Sequence, residues 1–323
     1  MGTKAKNNSD KWLVVVNPNA GSRKGEKDWP KINDLLIHHG FIFESMFTKN
    51  RRHAIALTSD MIKKGFRQII VVGGDGTLNE VVNGIFQQDS CKPDDIIIGL
   101  IPVGTGNDWG RTYKFPKKYH EAIKVLKKGH HFTQDVGYVT YHDAEGEHER
   151  YFINVSGMGY DALVAQKTNR LKDQGKGNAF SYLLNIFTGL FQYKYAHFCI
   201  KADGIEVFND KVLSMNLGIC KYNGGGLMQV PDAIPDDGML DITIIHAISK
   251  FKIIKHVAQL YDGSFIKQKF VDTHRAKECK IVSKPQGKVF LEADGESLGH
   301  SPLLFTVKKR ALRFIIPQDE DID

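Results

Sequence analysis

Val71-Val72-Gly73-Gly74-Asp75-Gly76-Thr77-Leu78-Asn79-Glu80 joins two different periodicities. Ile69–Val72 is a continuous apolar run, which reads as a strand buried on both faces. From Thr77 to Phe86 the apolar residues Leu78, Val81, Val82 and Ile85 recur at helical spacing. Glycine between them lets the backbone turn sharply and approach a ligand closely. The free N–H groups of a helix start favour an anion, so a phosphate suits this turn. Asp75 would repel a phosphate directly, but it can hold a Mg²⁺ that phosphates share. Alone, the segment reads equally well as a tight strand-to-helix turn with an acidic N-terminal charge.

The flanking sequence repeats the same switch of period. Trp12–Val16, Phe41–Phe47 and Ile96–Ile101 read as strands, and Trp29–His39, His53–Lys64 and Tyr119–Lys128 as helices. Strands and helices alternate through short connections, which predicts a doubly wound α/β unit with a mostly parallel sheet. After Gln134 the texture changes. Val136–Thr140, Tyr151–Val155, His197–Ala202, Lys211–Ile219, Leu240–His246, Cys279–Ser283, Lys288–Glu292 and Leu303–Val307 read as strands. Turn signals such as Asp237-Gly238 separate them. Two helical insertions fall near Phe180–Phe191 and Lys250–Tyr261. The expected fold is therefore an α/β nucleotide-binding domain over 1–133, joined by the last strand and tail from about 308 to 323. A second, mainly antiparallel β domain covers 134–307.

Two further loops strengthen the phosphate reading. Asn17-Pro18-Asn19-Ala20-Gly21-Ser22 follows the first strand, and Pro102-Val103-Gly104-Thr105-Gly106-Asn107-Asp108-Trp109 follows the fourth. In a parallel sheet, loops after strands share the carboxyl edge, where ligands bind. Thr48, just past the second strand, belongs to that edge too.

These loops together resemble the diacylglycerol-kinase catalytic domain family, which includes bacterial lipid kinases and the sphingosine and ceramide kinases. A bare GGDGT also occurs in NAD kinases and phosphofructokinases. The second half carries matching segments in family order: Phe152-Ile153-Asn154-Val155-Ser156-Gly157-Met158-Gly159-Tyr160-Asp161-Ala162, then Tyr222-Asn223-Gly224-Gly225-Gly226, Asp237-Gly238-Met239-Leu240-Asp241 and Asp294-Gly295-Glu296. The resemblance implies ATP in a crevice between the domains, its phosphates on Asn17, Pro18, Asn19, Ala20 and Gly21 and on Gly73, Gly74, Asp75, Gly76, Thr77, Leu78 and Asn79. Thr48 and Thr105 carry over as further nucleotide contacts. It implies a base for the acceptor hydroxyl at Glu296 or Asp294. Residues i and i+2 of a strand share one face, which would aim both carboxylates the same way; a β-turn with acidic flanks is the plainer alternative. It also implies a structural Mg²⁺ at Asp237 with the carbonyls of Ile234 and Met239, although Asp-Gly is equally a strong hairpin signal. Asp135, Asn154 and Asp161 match family positions without an assignable chemistry.

The implied reaction is ATP-dependent phosphorylation of a lipid hydroxyl, with diacylglycerol the leading acceptor. A sphingoid base or other lipid, an NAD kinase-like reaction, and a non-catalytic nucleotide- or lipid-binding module stay open. The Phe180–Phe191 and Tyr222–Met228 segments are the candidate acyl contacts. Trp109 stands where the family more usually has an aliphatic residue or Phe, which bears on acceptor selectivity.

Composition fits. The chain has 323 residues and a net charge of +7, which suits anionic partners. From Arg111 to His131, seven Lys/Arg residues face Glu121 alone, marking a candidate membrane-facing patch. Nucleic acid is not an expected partner, since only the overall charge favours it. The four cysteines form no CxxC pair, which suits a reducing compartment. No run reaches the length of a membrane span, and the polar first residues show no secretory signal. The expected setting is cytoplasmic and peripheral to the membrane, with a homodimer open.

Overall fold

The computed structural model describes residues 8–173, 189–285, 287 and 289–318. It falls into two compact units, Met1–Gln134 with Arg310–Asp323, and Asp135–Lys309. In the first, β1 (Trp12–Val16), α1 (Ala20–His38), β2 (Phe43–Phe47), α2 (His53–Lys63), β3 (Gln68–Gly73), α3 (Asp75–Gln87), β4 (Ile97–Pro102), α4 (Asp108–Thr112) and α5 (Tyr119–Lys128) follow in order. The strands pair in parallel as β2-β1-β3-β4. Leu13–Val16 and Ile69–Val72 are buried, as strands covered on both faces must be. Helices α1 and α5 pack together, as do α2 and α3. Where α3 crosses α2, a Cβ on Gly84 would stand 2.4 Å from Ile55 O, so a larger residue there would push the two helices apart. The described residues contain no helix long and apolar enough to cross a membrane.

The chain passes out of this unit within β5 (His131–Asp143) and returns within β16 (Glu296–Ile315). At the far end of β16, Arg313 and Phe314 pair in parallel with Ile97 and Ile98 of β4. The second unit holds β6 (Gly146–Phe152), β7 (Val155–Gly159), α6 (Tyr160–Asp173), β8 (Ala196–Ala202), β9 (Ile205–Gly218), β10 (Tyr222–Asn223), β11 (Leu227–Met228), β12 (Leu240–His246), α7 (Lys250–His256), α8 (Gln259–Asp262), β13 (Val271–Ala276), β14 (Glu278–Lys284) and β15 (Phe290–Ala293). The main order is β13-β12-β9-β7-β15-β16, with β8 bridging β9 and β14. Every one of these pairings is antiparallel. The inward residues of these strands, among them Phe152, Phe198, Met215, Ile242, Ile281 and Phe305, make one core.

The sequence does not announce β13, whose buried ends Val271 and Ala276 enclose alternating polar residues. The expected single strand Tyr151–Val155 is two strands broken at Ile153-Asn154. Most of the expected helix Phe180–Phe191 lies outside the described residues.

Candidate active site

The carboxyl edge of the first unit's sheet is built from backbone tied by a few polar side chains. Strand order β2-β1-β3-β4 places the switch in winding direction between β1 and β3, where open α/β sheets leave a crevice. The loops after those strands are tied together there: Asn17 Nδ2 donates to Thr77 Oγ1 at 2.8 Å. The loop after β4 joins them. Val103 N donates to Gly73 O at 2.8 Å, and Trp109 N donates to Asp75 Oδ1 at 3.0 Å. A Cβ on Gly104 would stand 2.6 Å from Gly74 Cα and 2.7 Å from Asn107 Oδ1, so both glycines are required by close approach of two backbones.

The loop after β1 carries the longest left-handed stretch of this edge, beside single left-handed residues at Arg52 and Asn107. Gly21, Ser22 and Arg23 are consecutively left-handed, with φ of 59°, 59° and 69°. For Ser22 and Arg23 that conformation is costly. Such strain persists where surrounding structure imposes it, commonly at ligand sites. Helix α1 runs regularly only beyond this point.

Of the other residues expected at this edge, Asn19 N donates to Asn17 Oδ1. Thr48 is buried, its N–H on Val16 O, and Thr105 is exposed. The side chains of Leu78 and Asn79 are fully buried, and Asn79 Oδ1 accepts from Asn83 Nδ2. Trp109 is a core residue. It packs on Phe314 and Tyr113 and donates through Nε1 to Gln134 Oε1 at 2.8 Å. Its indole therefore bears on packing. Glu80 is a residue that pattern reading missed: its carboxylate accepts from Arg52 N and Ala54 N, capping the start of α2. A cavity of about 340 Å³ lined by Trp12, Gln68 and Ile97 lies at the opposite, amino edge of the strands and does not mark this site.

The acids of the second unit are held differently. Asp294 and Gly295 are not in a strand. Both have positive φ (49° and 80°), and Ala293 pairs with Glu296 across them, which is a two-residue hairpin turn of the primed type. The expected i, i+2 strand geometry for Asp294 and Glu296 is thereby corrected. Asp294 folds back instead: Oδ2 accepts from Ile153 N and Oδ1 from Asn154 N, each at 2.9 Å. The break between β6 and β7 presents both of these N–H groups to the carboxylate. Glu296 begins β16, partly buried.

Two residues before the turn, Glu292 is buried within an apolar strand. Oε1 accepts from Asn223 Nδ2 at 2.7 Å and Oε2 from Gly295 N at 2.8 Å. Burial pushes its carboxyl up to about 8 against these two hydrogen bonds, and the charges of Asp161 and Asp294 add to the rise. Asp161 is also raised by desolvation, although Ser214 Oγ and Asn216 Nδ2 donate to it. A lone acid inside an otherwise apolar strand was the available signal for Glu292. Because 292 pairs with 297 and 293 with 296, Glu292 and Glu296 point to opposite faces of the hairpin.

Asp237 accepts from Arg275 Nη2 and, through Oδ1, from Met239 N. Arg275 also bridges to Asp241 at 2.9 Å. Asp135, fully buried, accepts from Gly238 N. The guanidinium thus already supplies positive charge at the Asp237 turn, and a divalent ion there would share this carboxylate with it. Among the described residues, no three His, Cys, Asp or Glu side chains cluster as metal ligands.

Two family models match the chain. The diacylglycerol kinase catalytic domain matches residues 11–139. The YegS C-terminal NAD kinase beta sandwich-like domain matches residues 154–316. A diacylglycerol kinase of Staphylococcus haemolyticus is 30% identical over 307 residues, covering 95% of this chain and 88% of that one. The chain belongs to the diacylglycerol kinase family. It is an ATP-dependent lipid kinase with that family's fold, an α/β nucleotide-binding domain and an antiparallel β sandwich-like domain. A putative diacylglycerol kinase from Bacillus anthracis is similar in structure, with a TM-score of 0.74 at 25% identity over 95% of this chain and 97% of that one. An NAD kinase from Archaeoglobus fulgidus shares the fold at a TM-score of 0.52 and 12% identity, over 97% and 95% of the two chains.

Proposed function

We propose that the protein transfers the γ-phosphoryl group of Mg–ATP to the free hydroxyl of diacylglycerol, giving phosphatidic acid and ADP at a membrane surface. The observation that carries this reading is the pinned carboxyl edge, where Asn17 holds Thr77 and Trp109 N holds Asp75. Phosphoryl transfer asks the protein mainly for positioning and charge neutralisation. The Asn17–Gly21 loop and the Gly73–Thr77 turn present backbone to the phosphates, with Thr48 and Thr105 as further nucleotide contacts. Leu78 and Asn79, buried by side chain, would take part through the N–H groups of the α3 start.

Asp75 is the residue to hold Mg²⁺. Its Oδ1 is fixed by Trp109, and its Oδ2 lies toward Gly106, 3.1 Å from where a Cβ would stand there. Bound with the nucleotide, that ion would neutralise charge on the phosphates. Glu296 takes the proton of the acceptor hydroxyl as its oxygen bonds to phosphorus and the bond to the ADP oxygen breaks. Asp294 supports Glu296 by holding the turn that carries it. A cavity of about 240 Å³ lined by Leu163, Tyr193 and Phe290 is an apolar recess on the second unit suited to part of an acyl chain.

The test is to incubate the protein with γ-labelled ATP and, separately, diacylglycerol, a sphingoid base and NAD. Label in phosphatidic acid is expected. Label confined to the sphingoid base or to NAD, or in no acceptor while ATP binds, would overturn the assignment.

A further inference from the structure

The second unit carries an exposed apolar stripe that its own core does not use. Residues 250–262 stay helical or nearly so, because Val257 and Ala258 between α7 and α8 keep right-handed helical angles. One side of this segment is spent on the protein. Ile253 packs on the cluster of Tyr160, Leu190 and Leu213, and Leu260 packs on Phe265, Phe270 and Val271. The other side is apolar as well. Phe251 is 79% exposed, Ile254 38% and Tyr261 60%, and at helical spacing they and Ala258 fall within roughly 80° of arc. Phe251 is the most exposed large hydrophobic side chain of the described residues.

The charge along this segment is predominantly positive. Lys250, Lys252, Lys255, Lys267 and Lys269 face Asp262 alone. Lys250 folds back, donating to Tyr193 O and lying over the Tyr195 ring, and Lys252 lies over Phe270. Lys255, Lys267 and Lys269 are exposed. A narrow apolar stripe flanked by lysines is what an interfacial helix offers to an anionic bilayer: rings and aliphatic chains at headgroup depth, ammonium groups against lipid phosphates. A second copy of the chain fits poorly, since a two-fold contact through this stripe would set lysines against lysines. The basic stretch Arg111–His131 has exposed lysines but no exposed large hydrophobic side chain of its own, so it does not combine the two in one segment as 250–269 does.

We infer that the 250–269 segment is the surface by which this protein seats on an anionic membrane, with Phe251, Ile254 and Tyr261 entering the interface. The inference adds a surface to the lipid-kinase reading, and its test needs neither ATP nor turnover, so either can fail without the other.

Co-sedimentation of the full chain with vesicles of phosphatidylcholine alone, and of phosphatidylcholine mixed with phosphatidylglycerol, measures it. Binding is expected only to the mixed vesicles. Phe251→Ser with Tyr261→Ser should weaken it roughly tenfold or more, and Lys255→Glu with Lys267→Glu comparably. The substituted side chains are exposed, and unchanged thermal unfolding will show that both variants fold. Equal vesicle binding by wild type and both variants would overturn the inference. So would a concentration-dependent dimer in solution that the Phe251/Tyr261 variant dissociates, which would assign the stripe to a second copy.

Discussion

The carboxyl edge of the first unit and the acid hairpin of the second, to which we assign nucleotide binding and proton transfer, are fixed in place by opposite means. The edge uses glycine and backbone: Gly74 and Gly104 touch, Gly21 turns left-handed, and only Asp75 contributes a charge at the turn itself. The hairpin uses buried carboxylates, each clasped by N–H donors, with Glu292 tying Gly295 to Asn223 and Asp294 tying the turn to the β6–β7 break. Backbone grips by shape and tolerates almost no added volume. Buried acids grip by charge and respond to protons. The two regions should therefore fail in different ways when perturbed.

The largest effect separates chemistry from binding. Glu296→Gln should lower kcat by about 10²–10⁴-fold with Mg–ATP affinity unchanged; steady-state kinetics beside direct nucleotide titration will show it. Gly104→Ala should do the reverse at the edge. Its methyl would meet Gly74 Cα, so Kd for Mg–ATP should rise tenfold or more and stability should fall by about 1–3 kcal/mol. Asp294→Asn tests the clasp. One carboxylate oxygen becomes an NH₂ facing a backbone N–H, which should cost about 1–3 kcal/mol in urea unfolding and lower kcat through a displaced turn.

A further effect, on stability alone, is in pH dependence. Burial raises Glu292 from an ordinary 4.5 to about 8. Between these values the folded protein keeps a proton that the unfolded chain has released, so stability falls as pH rises from 4.5 toward 8 and levels above it. Glu292→Gln should remove that slope in denaturation midpoints measured across the range, and a slope unchanged in the variant would assign it elsewhere.

Much of the first unit was legible because its strands are continuous apolar runs and its helices keep strict spacing. Trp12–Val16 and Tyr119–Lys128 are strand and helix with no shift of boundary. The glycine turns could be read for the same reason that they work, since few other residues fit where two backbones meet. The second unit was harder. β13 alternates Asp272, His274 and other polar residues at a partly exposed sheet margin, so it lacks the apolar run that marks a buried strand. Of the two readings open at Asp294-Gly295, strand or turn, the structure takes the turn, the conformation that this dipeptide itself signals. Glu80, Glu292 and the Arg275–Asp237 pair are long-range contacts between residues 26 or more apart, and no local pattern encodes such a partner.

The central claim is that nucleotide grip resides in the backbone of the first unit and proton transfer in the hairpin of the second. Calorimetric titration of Mg–ATP into Gly104→Ala and Glu296→Gln, side by side with wild type, tests it most directly. The account predicts that the glycine variant loses most of its affinity while the glutamate variant titrates like wild type and yet phosphorylates lipid about 10²–10⁴-fold more slowly. Wild-type affinity in Gly104→Ala, or undiminished phosphorylation by Glu296→Gln, would contradict it.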